Sequence, residues 1–390
     1  MSGPSSVPRG VKGLSLVSLF NDFASEMVYP LIPAFVTGTL GGGALLLGLL
    51  DGAADLTSAA LKVVSGRLAD RPGWRRPLIL VGYLAAVLVR PLIATAGAAW
   101  QVVGFRVMDR VGKGIRTPPR DALIAAITPA AQRGRSFGFH RAADHFGAVV
   151  GSLAAWYLLT RGADVRSVIG WSVVPGVVAF VLLAVVLRGT AGTVIPAAPG
   201  KVADAVGRVF WAPVLALTAL TFFRLPETLL LLRLQDQGVA VAAVPLVWAG
   251  LHVVRSASSY PGGWIADRLG ARQTVAVGGL LFAGVAAAMA SSLTSSAAIG
   301  VFLVLGLVAG LTESAERALV ARLSPVRTGR GFGVYHALTG LAALPAGLAF
   351  GAIYQGRGGP TAFRASAIGM GLAVVGWLLV SPRVTHRQAP

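Results

Sequence analysis

Apolar stretches of about 20 residues, the length that an α-helix needs to cross a bilayer, recur along the whole chain. Charged residues make up 13% of the chain, whereas a soluble domain has about 25%. Polar surface is therefore too scarce for a water-soluble globule, and the sequence predicts an all-α integral membrane protein. Twelve spanning helices are predicted, near residues 15–37, 43–65, 77–96, 99–118, 135–159, 166–187, 209–232, 240–262, 273–291, 297–318, 331–354 and 362–381.

A short charged loop occurs twice between these apolar segments. It is Gly-Arg-Leu-Ala-Asp-Arg-Pro-Gly-Trp-Arg at 66–75 and Gly-Trp-Ile-Ala-Asp-Arg-Leu-Gly-Ala-Arg at 263–272, 197 residues further on. Shorter matches follow in the same order, so the chain is a duplication. The prediction is an N-terminal six-helix bundle, a cytoplasmic central loop and a C-terminal six-helix bundle, over residues 1–190, 191–208 and 209–390.

These features together resemble the major facilitator superfamily of secondary transporters. The resemblance covers nearly the whole chain: twelve spans, a six-plus-six split, a basic central loop and a Gly-x-x-x-Asp-Arg loop after helices 2 and 8. It implies two pseudo-symmetric bundles that rock about a central site and open it to each side of the membrane in turn. Within the superfamily, the chain resembles bacterial permeases of efflux-type or unassigned subgroups.

The doubled loop is predicted to form a latch on the cytoplasmic side. Its two aspartates lie at helix–loop junctions, where a carboxylate can cap a neighbouring helix and pair with the arginine that follows. The predicted cytoplasmic gate consists of Gly66, Asp70, Arg71, Arg75, Gly263, Asp267, Arg268 and Arg272.

The net charge of +19 follows the topology of a membrane protein. Basic residues crowd the predicted inside loops, whereas the outside loops near 38–42, 97–98 and 292–296 carry no charge. This asymmetry is the positive-inside rule. It predicts a multi-pass protein of the bacterial cytoplasmic membrane with both termini in the cytoplasm. Nucleic-acid binding is not expected, because no basic segment is interleaved with aromatic residues that could stack on bases.

Ionisable residues inside the spans mark the candidate coupling site, because each is costly in the membrane unless it faces a cavity or a partner. Asp22 and Glu26 lie one turn apart on one face of helix 1. Their mutual repulsion favours a proton on one of them; the alternative is that Arg90, Arg106 or Arg141 neutralises both. The predicted proton-coupling residues are Asp22, Glu26, Arg106, Asp109, Asp144, Glu227, Glu313 and Glu316.

The substrate cavity is predicted from the family resemblance, in which helices 1 and 7 line the centre. Aromatic side chains there suit a drug-like molecule. The candidate cavity residues are Phe20, Phe23, Arg90, Arg141, Phe223, Arg224 and His252. On helix 5, Gly138, Gly147 and Gly151 partly match a family signature associated with exporters, although Ala148 stands where that signature has proline.

The function that these residues favour is proton-coupled export of a drug-like or metabolite compound, with the proton gradient as the energy source and no cofactor. The alternative is a proton-coupled uptake symporter for an anionic metabolite held by Arg90, Arg106 or Arg141. An enzyme and a metal site are not expected: cysteine is absent, no His-Glu-x-x-His pattern occurs, and we identify no helical i, i+4 pair of histidine with an acid. The expected partners are a small-molecule substrate and the lipid bilayer, with the chain acting as a monomer.

Overall fold

The computed structural model describes residues 7–69, 71, 73–128, 133–189, 208–323 and 328–381, and within these ranges every regular element is helical. Twelve helical segments follow one another in this described part of the chain, which confirms the predicted fold class. In chain order they are α1 (9–39), α2 (Ala44–Ala69), α3 (75–95), α4 (Ala99–Ala126), α5 (Arg133–Thr160), α6 (165–189), α7 (208–236), α8 (241–269), α9 (Ala271–Met289), α10 (Ser295–Leu323), α11 (Thr328–Arg357) and α12 (Gly359–Val380).

Nine helices of the described ranges are long and apolar enough to cross a membrane. The segments α1, α4 and α5 are not among the nine, and these three carry the candidate residues Asp22, Glu26, Arg106, Asp109 and Asp144. Charge is thus concentrated in three helices of the first half of the chain, where most of the predicted proton-coupling residues lie.

Large apolar side chains form exposed stripes along the helices. On α12, Ile368, Leu372, Val375 and Leu379 lie on one helical face and are 66%, 68%, 56% and 80% exposed. Such a continuous apolar surface is unfavourable in water but suits contact with lipid chains. The exposed stripes therefore agree with a membrane-embedded protein.

The chain packs as two compact units. Unit one contains the described residues of 1–42, 57–201 and 241–249, and unit two contains those of 43–56, 202–240 and 250–390. Each unit is therefore completed by the start of a helix, α2 or α8, from the other half of the sequence. The predicted division at 1–190, 191–208 and 209–390 stays a prediction, and most of its central loop lies outside the described residues.

The same helix pairs pack in both units. In unit one α1 packs against α5 and α6, and α3 packs against α4 and α6. In unit two α7 packs against α11 and α12, and α9 packs against α10 and α12. This repetition of helix packing reproduces the duplication seen in the sequence.

Two of the helices that carry candidate residues are interrupted in their middle. In α1 the α-helix Arg9–Val28 gives way to a 3-10 turn at Tyr29–Leu31, where Pro30 supplies no backbone N–H. In α7 the α-helices Arg208–Phe223 and Glu227–Asp236 are separated by residues 224–226, which end in Pro226. Both interruptions lie beside candidate site residues.

Candidate functional site

Asp109 is the centre of a fully buried ion-pair network in unit one. Its Oδ1 lies 2.9 Å from Arg90 Nε on α3, and its Oδ2 lies 3.4 Å from Arg106 Nη1 one turn earlier on α4. All three side chains are at most 4% exposed. Arg90 also donates to the main-chain oxygen of Asn21 on α1, at 2.8 Å. The network thus joins α1, α3 and α4 through charge-assisted hydrogen bonds.

Glu26 is half-buried on α1 and accepts a hydrogen bond from an indole. The donor is Trp248 Nε1 at the start of α8, 2.8 Å from Glu26 Oε2, and both residues belong to unit one. The Trp248 ring also packs on Tyr29, with ring centroids 5.4 Å apart. On the Tyr29 ring lies the guanidinium of Arg106, 4.6 Å from the centroid. An aromatic bridge therefore connects Glu26 to the Asp109 network.

Asp22 is also half-buried, and its Oδ1 accepts a hydrogen bond of 2.9 Å from the side-chain amide of Asn21. Glu26 and Asp22 therefore have different hydrogen-bond donors, although they lie on one helical face. Phe20 and Phe23, predicted for the cavity, flank Asp22 and stack with their ring centroids 6.4 Å apart.

His140 and Asp144 form a buried histidine–acid pair on α5. His140 Nε2 lies 3.8 Å from Asp144 Oδ1, and the two side chains are 5% and 8% exposed. The two residues are four apart on one helix, so the expectation that the sequence contains no helical i, i+4 pair of histidine and acid was wrong. Ser15 Oγ lies 3.3 Å from His140 Nδ1, and Arg141 lies 3.5 Å from Asp144, with its own side chain 57% exposed.

Unit two brings its candidate residues together in two ion-pair groups. Arg255 on α8 donates through Nε to Glu313 on α10 at 3.0 Å and lies 3.9 Å from Glu227 on α7. Arg224, in the interruption of α7, lies 3.5 Å from Glu316. The carboxylates and Arg224 were predicted as site residues from the sequence, but their pairing was not, and Arg255 was not among the predicted site residues.

The remaining cavity candidates of unit two are apolar or buried. Phe223 packs edge-on against Phe222, with ring centroids 5.2 Å apart, and its main-chain oxygen accepts a hydrogen bond from Ser366. His252 is only 8% exposed on α8. The structure therefore places these two residues within the packing of unit two.

The doubled loop keeps its backbone geometry in both copies. Gly73 and Gly270 are 197 residues apart and take φ of 83° and 87°, a conformation that favours glycine. Arg75 Nε donates to the Ala69 oxygen at 2.8 Å, Arg272 Nε donates to Ser381 Oγ at 3.0 Å, and Arg268 lies 3.8 Å from the centre of the Trp264 ring. Arg71 is exposed, and Gly66 and Gly263 lie within α2 and α8.

The two aspartates of the doubled loop cannot be compared between its copies. Asp70 and the side chain of Asp267 lie outside the described part of the chain. The latch at the cytoplasmic gate therefore stays a prediction.

Trp248 is the residue that the sequence analysis missed in unit one. It lies 222 residues from Glu26 in the chain, and no local pattern links the two. The repeat is the sequence signal that could have drawn attention to Trp248, because this residue follows Asp51 by the same 197 residues that separate the two loop copies.

A pocket of about 480 Å³ opens elsewhere in unit one, away from the predicted cavity residues. It is lined by Thr39, Leu159, Ala163, Asp164, Val165, Arg166, Val241 and Ala242. Asp164 lies outside the spans, and the hydrogen bond from Ser167 holds the pKa of its carboxyl below the usual range. Among the described residues no group of three or more histidines and acids is placed to hold a metal ion.

Comparison of the sequence with known proteins gives consistent matches over most of the chain. Residues 14–254 and 228–390 match the family model of the Major Facilitator Superfamily. An uncharacterised MFS-type transporter of Methanocaldococcus jannaschii is 26% identical over 364 residues, covering 89% of each chain. An uncharacterised protein of Mycobacterium tuberculosis is 31% identical over 360 residues, covering 89% of this chain and 85% of its own.

A shorter match links the chain to a protein with a functional name. The multidrug resistance protein MdtH of Cronobacter sakazakii is 34% identical over 158 residues, which are 40% of this chain and 38% of MdtH.

Solved structures share the fold at low sequence identity. A POT family transporter in complex with a thioalcohol-conjugated peptide has a TM-score of 0.81 at 11% identity, covering 96% of both chains. A bacterial homologue of the human lysosomal transporter Spinster has a TM-score of 0.72 at 16% identity, covering 97% of this chain and 98% of its own.

Proposed function

The chain belongs to the major facilitator superfamily, and from this premise we propose that it is a proton-coupled exporter of a small organic solute. It is a membrane transporter and not an enzyme, as its relatives and structural neighbours are transporters. In this proposal, alternating access moves the solute out of the cell while protons move in, so the proton gradient supplies the free energy.

The observation that carries the proposal is the difference between the carboxylates of unit one. Asp109 is 1% exposed and lies against two arginines, so protonating it would leave buried positive charge uncompensated. Asp22 and Glu26 are half-buried and accept hydrogen bonds from a neutral amide and a neutral indole. A neutral donor stabilises a carboxylate less than a guanidinium does. The proposal therefore assigns the coupling proton to Asp22 or Glu26 and a structural role to Asp109.

Export is favoured by the relative with a functional name and by the glycines of α5. The similarity to multidrug resistance protein MdtH covers 40% of the chain. Gly147 and Gly151 face the main-chain oxygens of Leu19 and Phe23, so α5 and α1 pack backbone to backbone beside the proposed proton site. These are the glycines that partly match the exporter signature.

The alternative, uptake of an anionic metabolite, needs guanidinium groups that an anion can reach. Arg90 and Arg106 are 3% and 2% exposed and both pair with Asp109. A substrate anion would have to displace a buried carboxylate from them, which is strongly unfavourable. The geometry of these two arginines therefore gives the uptake alternative no support, and that alternative depends on Arg141, whose side chain is 57% exposed.

The proposal includes the cellular setting that the sequence predicts. The chain acts as a monomer in the cytoplasmic membrane of a bacterium, with both termini in the cytoplasm, and it needs no cofactor. Its cargo is a small organic compound that can contact aromatic side chains such as Phe20 and Phe23.

Inverted membrane vesicles test the proposal, after a thermal-shift screen of compound classes on purified protein has selected a substrate. Ethidium serves as the first probe. Adding it to vesicles acidified by respiration should release protons from the lumen, reported by a pH-sensitive dye. The Glu26→Gln or Asp22→Asn variant should lose this release, because a neutral side chain cannot carry the proton.

The matched control is Asp121→Asn, which removes a carboxylate that is 42% exposed on α4. It should leave ethidium-driven proton release unchanged. Intact coupling in both Glu26→Gln and Asp22→Asn would show that the proton assignment is wrong, and substrate-driven proton movement in the opposite direction would favour the symporter.

A further inference from the structure

Residues 51 and 248 are equivalent positions of the duplication, since they are 197 residues apart like the loop copies. Asp51 lies on the part of α2 that belongs to unit two, and Trp248 lies on the part of α8 that belongs to unit one. Trp248 binds Glu26 on α1. Asp51 binds Thr228 on α7, the counterpart of α1 in the second half. Equivalent positions thus make equivalent helix contacts with unrelated side chains.

Asp51 caps the second α-helix of α7. Its Oδ2 accepts hydrogen bonds from the Thr228 backbone N–H at 3.0 Å and from the Thr228 hydroxyl at 2.7 Å. That helix starts at Glu227 after Pro226, whose side chain gives no cap. The first backbone N–H groups of a helix need outside acceptors, and a carboxylate suits the positive end of the helix dipole. Asp51 supplies this acceptor from another helix.

The start of α2 is also in backbone contact with α11 in unit two. A side chain at Gly48 would overlap the main chain of Gly347, and one at Gly52 would come within 2.7 Å of the Ala343 oxygen. The Leu45 N–H donates to Gln355 Oε1 at 3.1 Å. The packing of residues 43–56 is therefore close, and Asp51 provides its charged contact to α7.

Other ionisable groups lie on the described elements that pack beside Asp51 in unit two. On α2 the nearest in sequence is Asp55, one turn further on, and on α11 Tyr354 lies between His336 and Arg357, with its hydroxyl donating to Asp236 of α7. On α7, Glu227 precedes Thr228 and lies 3.9 Å from Arg255 of α8, while Arg224 lies 3.5 Å from Glu316.

We propose that Asp51 is a proton-sensitive positioning residue, whose carboxylate holds the start of α2 on α7 and releases it when a proton binds. This rests on the proposed proton-coupled transport. Hydrogen bonds to an ionised group are about twice as strong as those to a neutral group. Protonation of Asp51 therefore weakens both bonds to Thr228 and the interaction with the helix dipole.

A spin-label experiment on the substrate-free protein tests the proposal. The chain contains no cysteine, so Leu45→Cys and Gln355→Cys can be labelled selectively. The distance between the two labels reports whether residues 43–56 are docked in unit two. Between about pH 7 and about pH 3, a range that spans the ordinary aspartate pKa of about 3.9, the docked-to-undocked ratio should fall about fivefold, the size expected when charge-assisted hydrogen bonds become neutral ones.

Variants at the contact distinguish proton sensing from a structural role. With Asp51→Asn the ratio should be independent of pH and match the low-pH value, whereas Asp55→Asn should keep the full pH response. Thr228→Val keeps the backbone N–H but lacks the hydroxyl, so its docked-to-undocked ratio should respond less to pH. This variant replaces Asp51→Asn as the test if Asp51→Asn does not fold.

An unchanged pH response in Asp51→Asn, or no response in the parent chain, would overturn the proposal. The measurement uses neither substrate nor a gradient. A negative spin-label result would therefore leave the proton-release experiment with Glu26→Gln unaffected. Conversely, a negative proton-release result would not change the distances between the labels.

Discussion

At the residue scale, the burial of a charged side chain and the kind of group that pairs with it distinguish structural charges from the carboxylates proposed to carry the proton. Asp109, Arg90 and Arg106 are buried and mutually paired, whereas Asp22 and Glu26 are half-buried against neutral donors. The sequence placed all five on predicted helices and ranked Asp22 and Glu26 first. It left their pairing open, because residues such as Arg90 and Asp109 meet only when α3 packs on α4.

The Asp109→Asn substitution should strongly destabilise the protein. It would leave the guanidinium groups of Arg90 and Arg106 buried without their carboxylate, at a cost of about 3–5 kcal/mol. Thermal unfolding of the purified protein in detergent should show a clearly lower Tm.

Asp121→Asn, the same change on the same helix, is the matched control. Asp121 pairs with Arg120 at 3.0 Å, but its side chain is 42% exposed, so its loss should cost less than about 1 kcal/mol. Equal melting temperatures for the two variants would contradict a structural role for the Asp109 network.

At the element scale, hydrophobicity predicted where helices lie better than where they end. The span predicted near 99–118 is the helix Ala99–Ala126, and the span near 297–318 is Ser295–Leu323. Charged residues such as Arg116 and Arg120 lower the hydropathy of a helix without breaking its backbone hydrogen bonds. Apolar composition reports the width of the membrane, whereas the helix continues into the charged zone beyond it.

Packing of α5 against α1 depends on glycines at two defined positions. A Cβ atom at Gly147 or Gly151 would overlap the main chain of Leu19 or Phe23, whereas a Cβ atom at Gly138 meets nothing within 4 Å. Gly147→Ala and Gly151→Ala should therefore force the helices apart and destabilise the protein by about 1–3 kcal/mol. Thermal unfolding provides the measurement.

Gly138→Ala is the matched control on the same helix. Alanine is the better helix former, so this variant should be as stable as the parent or gain up to about 1 kcal/mol. A loss at Gly138 as large as that at Gly147 would mean that helix propensity on α5, rather than contact with α1, explains the glycines.

At the scale of the whole molecule, the duplication predicted twelve helices and two units. The order of the helices along the chain did not predict which unit contains the start of α2 and which contains the start of α8. Residues 43–56 and 241–249 each complete the unit of the other half. Tertiary contacts such as Asp51 with Thr228, 177 residues apart, determine this exchange. No local pattern encodes such contacts, although the equal spacing of 197 residues relates them once one is known.

The charge pattern also predicts the orientation of the chain in the membrane, and labelling at the two ends of α9 tests this prediction. Leu269, 57% exposed before α9, lies beside Arg268 and Arg272, whereas exposed Ser292 after α9 lies in a loop without charge. Because translocating arginines is unfavourable, Leu269 should face the cytoplasm and Ser292 the outside. A membrane-impermeant maleimide should then label Ser292→Cys in intact cells and Leu269→Cys only after permeabilisation, with the cysteine-free parent as the blank. The reverse pattern would place both termini outside, since twelve spans return the chain to the side where it began.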